Sequence, residues 1–268
     1  MPNQEVPGTE ESDKEILVEY NDGIAIVTIN RPSRRNGMTV SMCQEMLAAL
    51  NSIAVSAARV VVLRGAASDF CVGADMDSAP LPRNGHSLLE VMGASFHSAT
   101  ALHAMPQVTI AAIDGGCAGA GLGWACACDF RFASTRAKFS TAFLRVAASG
   151  DMGLAWSLAR IVGGARAREM LFFPEKFGAE QALTWGLVTR VFEPESLFDA
   201  SLQAARELAA SQPFALRMMK ANMLSAETLP FDAFVDIETA RQLSIADAGA
   251  ISQGFASFRA HKPTSKSD

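Results

Sequence analysis

Positive charge is in short supply in this chain: 23 Lys and Arg stand against 28 Asp and Glu in 268 residues, a formal net charge of −5. Proteins that grip a nucleic-acid backbone normally carry a basic excess, so no nucleic-acid partner is expected, and any anionic ligand must be met by a local basic cluster. Long apolar runs are also missing. No stretch approaches the roughly 20 uninterrupted apolar residues of a membrane-spanning helix, and Pro2 to Lys14 lacks the basic-then-apolar order of a signal peptide. The expectation is a soluble, cytoplasmic protein with no membrane partner. Cysteine is sparse and odd in number, five in all (Cys43, Cys71, Cys117, Cys126, Cys128), each among apolar neighbours, which suits reduced core thiols better than a disulfide frame. Cys126 and Cys128 have no His or second Cys pair near them in sequence, so no metal site is expected.

What the chain has in quantity is apolar: 49% of it is hydrophobic, enough for one large domain or a domain with an extension. Residues 1–14 are acidic, carry Pro and Gly without periodicity, and read as a flexible tail. A core domain follows over 15–200 and a helical C-terminal region over 201–268. Ile16 to Tyr20 and Gly23 to Asn30 are strand-like around Asn21-Asp22, a hairpin signal. Helical spacing from Val40 to Ala57 leads to a short buried strand at Val60–Leu63, the order of a parallel crossover. A second helix is expected over about Leu88 to His103, stopped by Pro106, before a buried strand at Val108–Ile113. Gly115 to Gly123 is a Gly/Ala loop leading into an apolar helix through Cys128, and Phe130–Ala133 and Lys138-Phe139 resume strand. From Leu154 onward the pattern is almost wholly helical, ending with segments near Phe231–Leu243 and Asp247–Arg259. Strands are thus expected in the first half and helices in the second.

Two loops can carry chemistry. Asp69-Phe70-Cys71-Val72-Gly73-Ala74-Asp75-Met76 follows a strand, and its glycine lets backbone approach a ligand closely, although an ordinary strand-to-helix turn reads the same way. Asp114 through Gly123 puts small residues at a helix start, where uncovered amides and the positive end of the helix dipole suit an oxyanion. Close helix–sheet packing would use the same residues. There is no GxxxxGK[ST] string, and Gly119-Ala120-Gly121 fits GxGxxG poorly, so nucleotide binding is not indicated.

Taken together, Asn30-Arg31-Pro32-Ser33-Arg34-Arg35-Asn36, Gly73-Ala74-Asp75 and Asp114-Gly115 through Gly121 resemble the crotonase (enoyl-CoA hydratase/isomerase) superfamily. The resemblance continues through Leu158–Gly163 and Ala182–Val188 to Phe258. It implies an α/β crotonase-like fold of β-β-α repeats whose C-terminal helices serve trimerisation, as a trimer or a dimer of trimers. It also implies an acyl-CoA thioester as substrate, with coenzyme A arriving as part of that substrate and no separate cofactor. The oxyanion hole falls to the backbone N–H groups of Ala74 and Ala120. Substrate contacts fall to Arg34, Arg35, Asp75, Met76, Gly119 and Phe143, with Arg31 and, from an adjacent subunit, His261 or Lys262 as further candidates for the CoA phosphates.

The resemblance also limits the reaction. Hydratases of the family use two glutamates, and their positions fall on Gly123 and Phe143, neither of which is a carboxylate. The same count puts Asp151 where non-hydratase members, including ring-epoxide and dienoyl-CoA isomerases, carry an aspartate. Asp151 is therefore the candidate acid and base for moving a carbon–carbon double bond. A helix N-cap ahead of Gly153–Val162 is the competing role for that residue. Hydration without the usual glutamates, aryl-CoA dehalogenation or thioester hydrolysis, and acyl-CoA binding without catalysis are the alternatives. Dehalogenation would require a tryptophan where Phe143 stands and a histidine, with His97 and His103 the nearest in the chain.

Overall fold

The computed structural model describes residues 14–78 and 84–247, together with 249 and 251. Strands β1 (Ile16–Asn21) and β2 (Ile24–Ile29) form the expected hairpin, with Ile16 opposite Ile29. Its two-residue turn is Asp22-Gly23, at φ 47° and 78°, the pair of positive values that a type I′ hairpin needs and that Asp-Gly supplies. The turn therefore falls one residue later than expected. Helix α1 (Val40–Ala54) starts where the Thr39 hydroxyl accepts the Met42 N–H at 3.0 Å, and it buries Met42, Met46, Leu50 and Ile53 at helical spacing. It returns the chain to β3 (Val60–Gly65), parallel to β2.

The single helix expected over Leu88–His103 is divided into α2 (Leu88–Met92), a 3-10 turn at Gly93–Phe96 and α3 (His97–Ala104). Gly93, the weakest helix former in the run, sits at the break. The chain continues through β4 (Val108–Ile113), β5 (Gly116–Ala118), α4 (Ala120–Ala127), β6 (Phe130–Ser134) and β7 (Lys138–Ser140). After these come α5 (Leu154–Ile161), α6 (Gly164–Phe172), β8 (Phe177–Gly178), α7 (Ala179–Thr184), β9 (Arg190–Phe192), α8 (Pro194–Ala209), α9 (Pro213–Ala226) and α10 (Phe231–Asp247).

Six strands form one sheet in the order β1-β2-β3-β4-β6-β9, parallel throughout except for the β1–β2 hairpin. A smaller sheet, β5-β7-β8, stands beside it. The second half of the chain is therefore not purely helical: β8 and β9 are two and three residues long, too short for any periodicity to register, and they are held by pairing with earlier strands.

Each face of the large sheet is covered. Ala25, Val27, Val61, Leu63, Ala111 and Ile113 pack with α1, α3 and α4, whereas Ile24, Ile26, Val60, Val62, Ile110 and Phe132 pack under Leu197, Ala204, Ala205 and Ala209 of α8. Each of the larger of these side chains, the Val, Leu, Ile and Phe, stabilises the fold by about 1.5–3 kcal/mol before entropy is charged. Helix α8 runs unbroken across residue 200, so the boundary drawn at 200/201 cuts a helix that belongs to the sheet. Helix α9 is tied down by Lys220, whose buried ammonium meets Asp129 Oδ2 at 2.5 Å. The same carboxylate oxygen accepts the Thr109 N–H and hydroxyl. The tail up to residue 13, most of the expected Asp247–Arg259 helix, and His261 and Lys262 lie outside the described residues.

Candidate active site

The two glycine-bearing loops are zipped together by backbone. The Cys71 N–H donates to the Gly116 carbonyl at 3.1 Å, the Ala118 N–H to the Cys71 carbonyl at 3.0 Å, and the Phe70 N–H to the Asp114 carbonyl at 2.8 Å. Beyond this bridge each chain turns at a glycine in the left-handed half of conformational space, Gly73 at φ 94° and Gly119 at φ 50°. Gly119 combines φ 50° with ψ −124°, a conformation open essentially to glycine alone. A β-carbon on Gly73 would lie 3.1 Å from the Ala118 carbonyl oxygen and 3.7 Å from Gly119 Cα, so the two turns touch.

Immediately after these turns come Ala74 and Ala120. The Met38 N–H donates to the Gly73 carbonyl and the Asp75 N–H to the Met38 carbonyl, a parallel bridge that uses Ala74's neighbours and points its own N–H the other way. Ala120 is the first residue of α4, where an amide has no partner in the helix. Among the described residues neither amide donates a hydrogen bond. Two free amides on touching loops, one backed by a helix dipole, form a site that can hold a developing negative oxygen.

Carboxylates brace this backbone from outside. Asp69 accepts the Gly116 N–H at 2.6 Å and a two-pronged contact from Arg35 at 2.9 and 3.0 Å. Burial alone would raise its pKa, but Arg35, the Gly116 amide and Arg136 together hold it below the usual range. Asp114 is held low in the same way by Arg136 and the Ser134 hydroxyl, and it also accepts the Gly115 N–H. The sequence placed both aspartates in the loops without a role. Their partners lie at least 20 residues away, apart from the adjacent Gly115 amide, so no local pattern marks them.

The expected phosphate ligands are already in ion pairs. Arg31 reaches Glu15 at 2.8 Å and Asp75 at 2.9 Å and donates to the Gly37 carbonyl, so it is committed to joining the chain start to the first loop. Arg34 contacts Asp75 at 3.6 Å and Asp77 at 3.2 Å, keeps 45% of its side chain exposed, and is the least engaged of the three. Asp75 is held low chiefly by Arg31, and Met76 beside it is exposed.

Asp151 approaches from a third loop. Gly150, Met152 and Gly153 all have positive φ, at 117°, 50° and 67°. The N-cap position of α5 is Gly153, with no side-chain cap, so the capping role weighed for Asp151 is not taken up. Instead its Oδ1 is buried without a hydrogen-bond partner, and burial raises its pKa to about 6. Buried Phe143 stands between this loop and the glycine loop: a β-carbon on Gly119 would lie 3.8 Å from its Cε1, and one on Gly150 3.9 Å from its Cδ2. At Gly123, one turn along α4 from Ala120, a β-carbon would overlap Cβ of Met152. No side chain fits there without moving the Asp151 loop.

The five cysteines are buried and free, and burial pushes Cys71 up to about 12, so none is a ready nucleophile. No group of three metal-ligating side chains occurs among the described residues. His103 meets Glu227 at 3.0 Å and stacks edge-on against Trp156. None of the described helices is long and apolar enough to cross a membrane.

Comparison with known proteins gives the same outline. The enoyl-CoA hydratase/isomerase family profile matches residues 19–265. The chain is 31% identical over 254 residues to 1,2-epoxyphenylacetyl-CoA isomerase of Escherichia coli (strain K12), covering 92% of this chain and 96% of that protein. It is 32% identical over 225 residues to 4-chlorobenzoyl coenzyme A dehalogenase-2 of Arthrobacter sp, covering 81% of each. The crystal structure of an enoyl-CoA hydratase from Polaromonas sp. JS666 superposes with a TM-score of 0.85 at 27% identity, covering 92% of this chain and 97% of that one.

Proposed function

Because the chain belongs to the enoyl-CoA hydratase/isomerase (crotonase) superfamily, we propose that it shifts a carbon–carbon double bond in an enoyl-CoA, with Asp151 as the only proton carrier. The observation that carries this reading is the half-buried Asp151 carboxyl, whose Oδ1 is buried without a hydrogen-bond partner among the described residues and whose pKa burial raises to about 6. A general base or acid works best with its pKa near the working pH. The amides of Ala74 and Ala120 receive the thioester oxygen. The Asp151 carboxylate takes a proton from the carbon at one end of the allylic system, the C–H electron pair moves into an enolate held by the two amides, and the same carboxyl returns the proton at the other end. Nothing is gained or lost overall.

Hydration needs a second group to position and activate water. Gly123 has no side chain and no room for one, and Phe143 is apolar. Dehalogenation is disfavoured by Phe143 beside Asp151 and by His103, which is engaged with Glu227. Arg34, Arg35, Asp75, Met76 and Gly119 line the approach for CoA in this reading, and His261 or Lys262 of an adjacent subunit adds charge for its phosphates. The homo-oligomer, a trimer or dimer of trimers, rests on the apolar residues that α9 and α10 leave exposed, Met219, Met223, Phe231 and Leu243. The test is incubation of the protein and of Asp151→Asn with a panel of enoyl- and dienoyl-CoA esters, following product mass and ultraviolet spectrum. Double-bond migration at constant mass, lost in the variant, is the expected result. A mass gain of one water on crotonyl-CoA at a comparable rate would refute the reading.

A further inference from the structure

One side chain packs against the first turn of α4. Met152 follows Asp151, is 3% exposed, and holds φ at 50°, uncommon for a residue other than glycine. That conformation turns its side chain inward, with Cβ against Gly123 on α4. Gly123 lies three residues beyond Ala120, within one turn of the N-terminal amide proposed to hold the thioester oxygen. The thioether is held from behind: Ser98 Oγ stands 3.8 Å from Met152 Sδ and accepts the Trp124 Nε1–H at 3.0 Å.

On its other side Met152 lines a cavity of about 420 Å³ between α3 and α5, with Phe96, Ala99, Ala127 and Trp156 as further apolar walls and Thr100, Ser157, His97 and His103 as its polar ones. Most of these walls are apolar, and the space is large enough for several methylenes. We propose that Met152 is the partition between the thioester site and this cavity and thereby sets the length of acyl chain the protein accepts. Met152 admits compact acyl groups, and its removal joins the cavity to the site. An unbranched thioether is thin and has no polar atom that would hold water there. The inference rests on the acyl-CoA reading above but not on the isomerase chemistry.

The test measures binding rather than turnover. Saturated butanoyl-CoA and decanoyl-CoA, which offer no double bond to move, are titrated calorimetrically into full-length wild type, Met152→Gly and Met152→Ala. Glycine suits φ 50°, so Met152→Gly relieves the backbone while deleting the side chain; Met152→Ala gives a second reading if the glycine variant melts early. Each methylene entering apolar space is worth about fourfold in affinity. The decanoyl-to-butanoyl affinity ratio is therefore expected to rise by at least about tenfold in either variant. Adding Thr100→Trp, which refills the cavity from an exposed lining position, should cancel that gain and leave butanoyl-CoA binding unchanged. A ratio equal to wild type in a variant with a native melting curve, or a gain that survives Thr100→Trp, overturns the partition. A changed ratio in a protein that isomerises no ester would leave the partition standing and remove the isomerase reading. Isomerisation with an unchanged ratio would do the reverse, and failure of every variant to bind either ester would remove both.

Discussion

Replacing Asp151 with Asn separates a catalytic carboxyl from a structural one, because the two roles give opposite signs in stability. The group's ordinary pKa of 3.8 rises to about 6 in the folded protein through burial. Below 3.8 it is protonated in both states and costs nothing; as pH rises the unfolded chain ionises first, and folding loses stability progressively until the folded carboxyl ionises near 6. At pH 8 the full cost is about 3 kcal/mol, from 1.36 kcal/mol for each unit of pKa. Asp151 is not fully enclosed, so solvent screening lowers the realised cost to about 1–2 kcal/mol. Asp151→Asn keeps the shape and removes the charge, so it should melt about 2–8 °C above wild type at pH 8. The gap should close as the pH falls toward 4. In parallel, turnover should drop by about 10²–10⁴-fold, and the wild-type rate should climb with pH through about 6 as the base ionises. A variant that melts below wild type at pH 8 would show that the carboxylate makes a stabilising contact, and the argument from its isolation would fail.

Other outcomes follow from the same geometry. Ala120→Pro removes one oxygen-binding N–H at the first position of α4, where proline is tolerated, so turnover should fall by about 10²-fold or more with an unchanged circular dichroism spectrum. Undiminished turnover would exclude that amide from the chemistry. Gly123→Ala forces a methyl into Met152 and should destabilise by about 1–3 kcal/mol in urea unfolding, with no hydratase activity gained. The apolar residues exposed on α9 and α10 should be covered by self-association, so light scattering at micromolar protein should give a trimer or hexamer, and a monomer would contradict it.

The sequence alone determined the order of the longer strands and helices, the two glycine loops and the absence of carboxylates at Gly123 and Phe143, but not the short strands β5, β8 and β9. These are local or compositional properties. A glycine is required wherever backbone must take the conformation of Gly73 or Gly119, whatever surrounds it, and a missing side chain is missing in any fold. Contacts that folding makes between distant parts of the chain decided most of the rest. Arg31 and Arg35 read as free cations until folding brings Asp75 and Asp69 against them, across separations of 44 and 34 residues. Strand β9 is three residues long and exists because β6 offers it a free edge. Asp151 read as the candidate proton carrier, with a helix cap as the competing role. Tertiary structure gives the cap position to Gly153 and buries the Asp151 Oδ1 without a partner among the described residues, which favours the proton-carrying reading. Desolvation and ion pairing depend on what folding brings near a group, so tertiary structure alone could supply the raised pKa, the committed arginines and the packing of Met152 on Gly123.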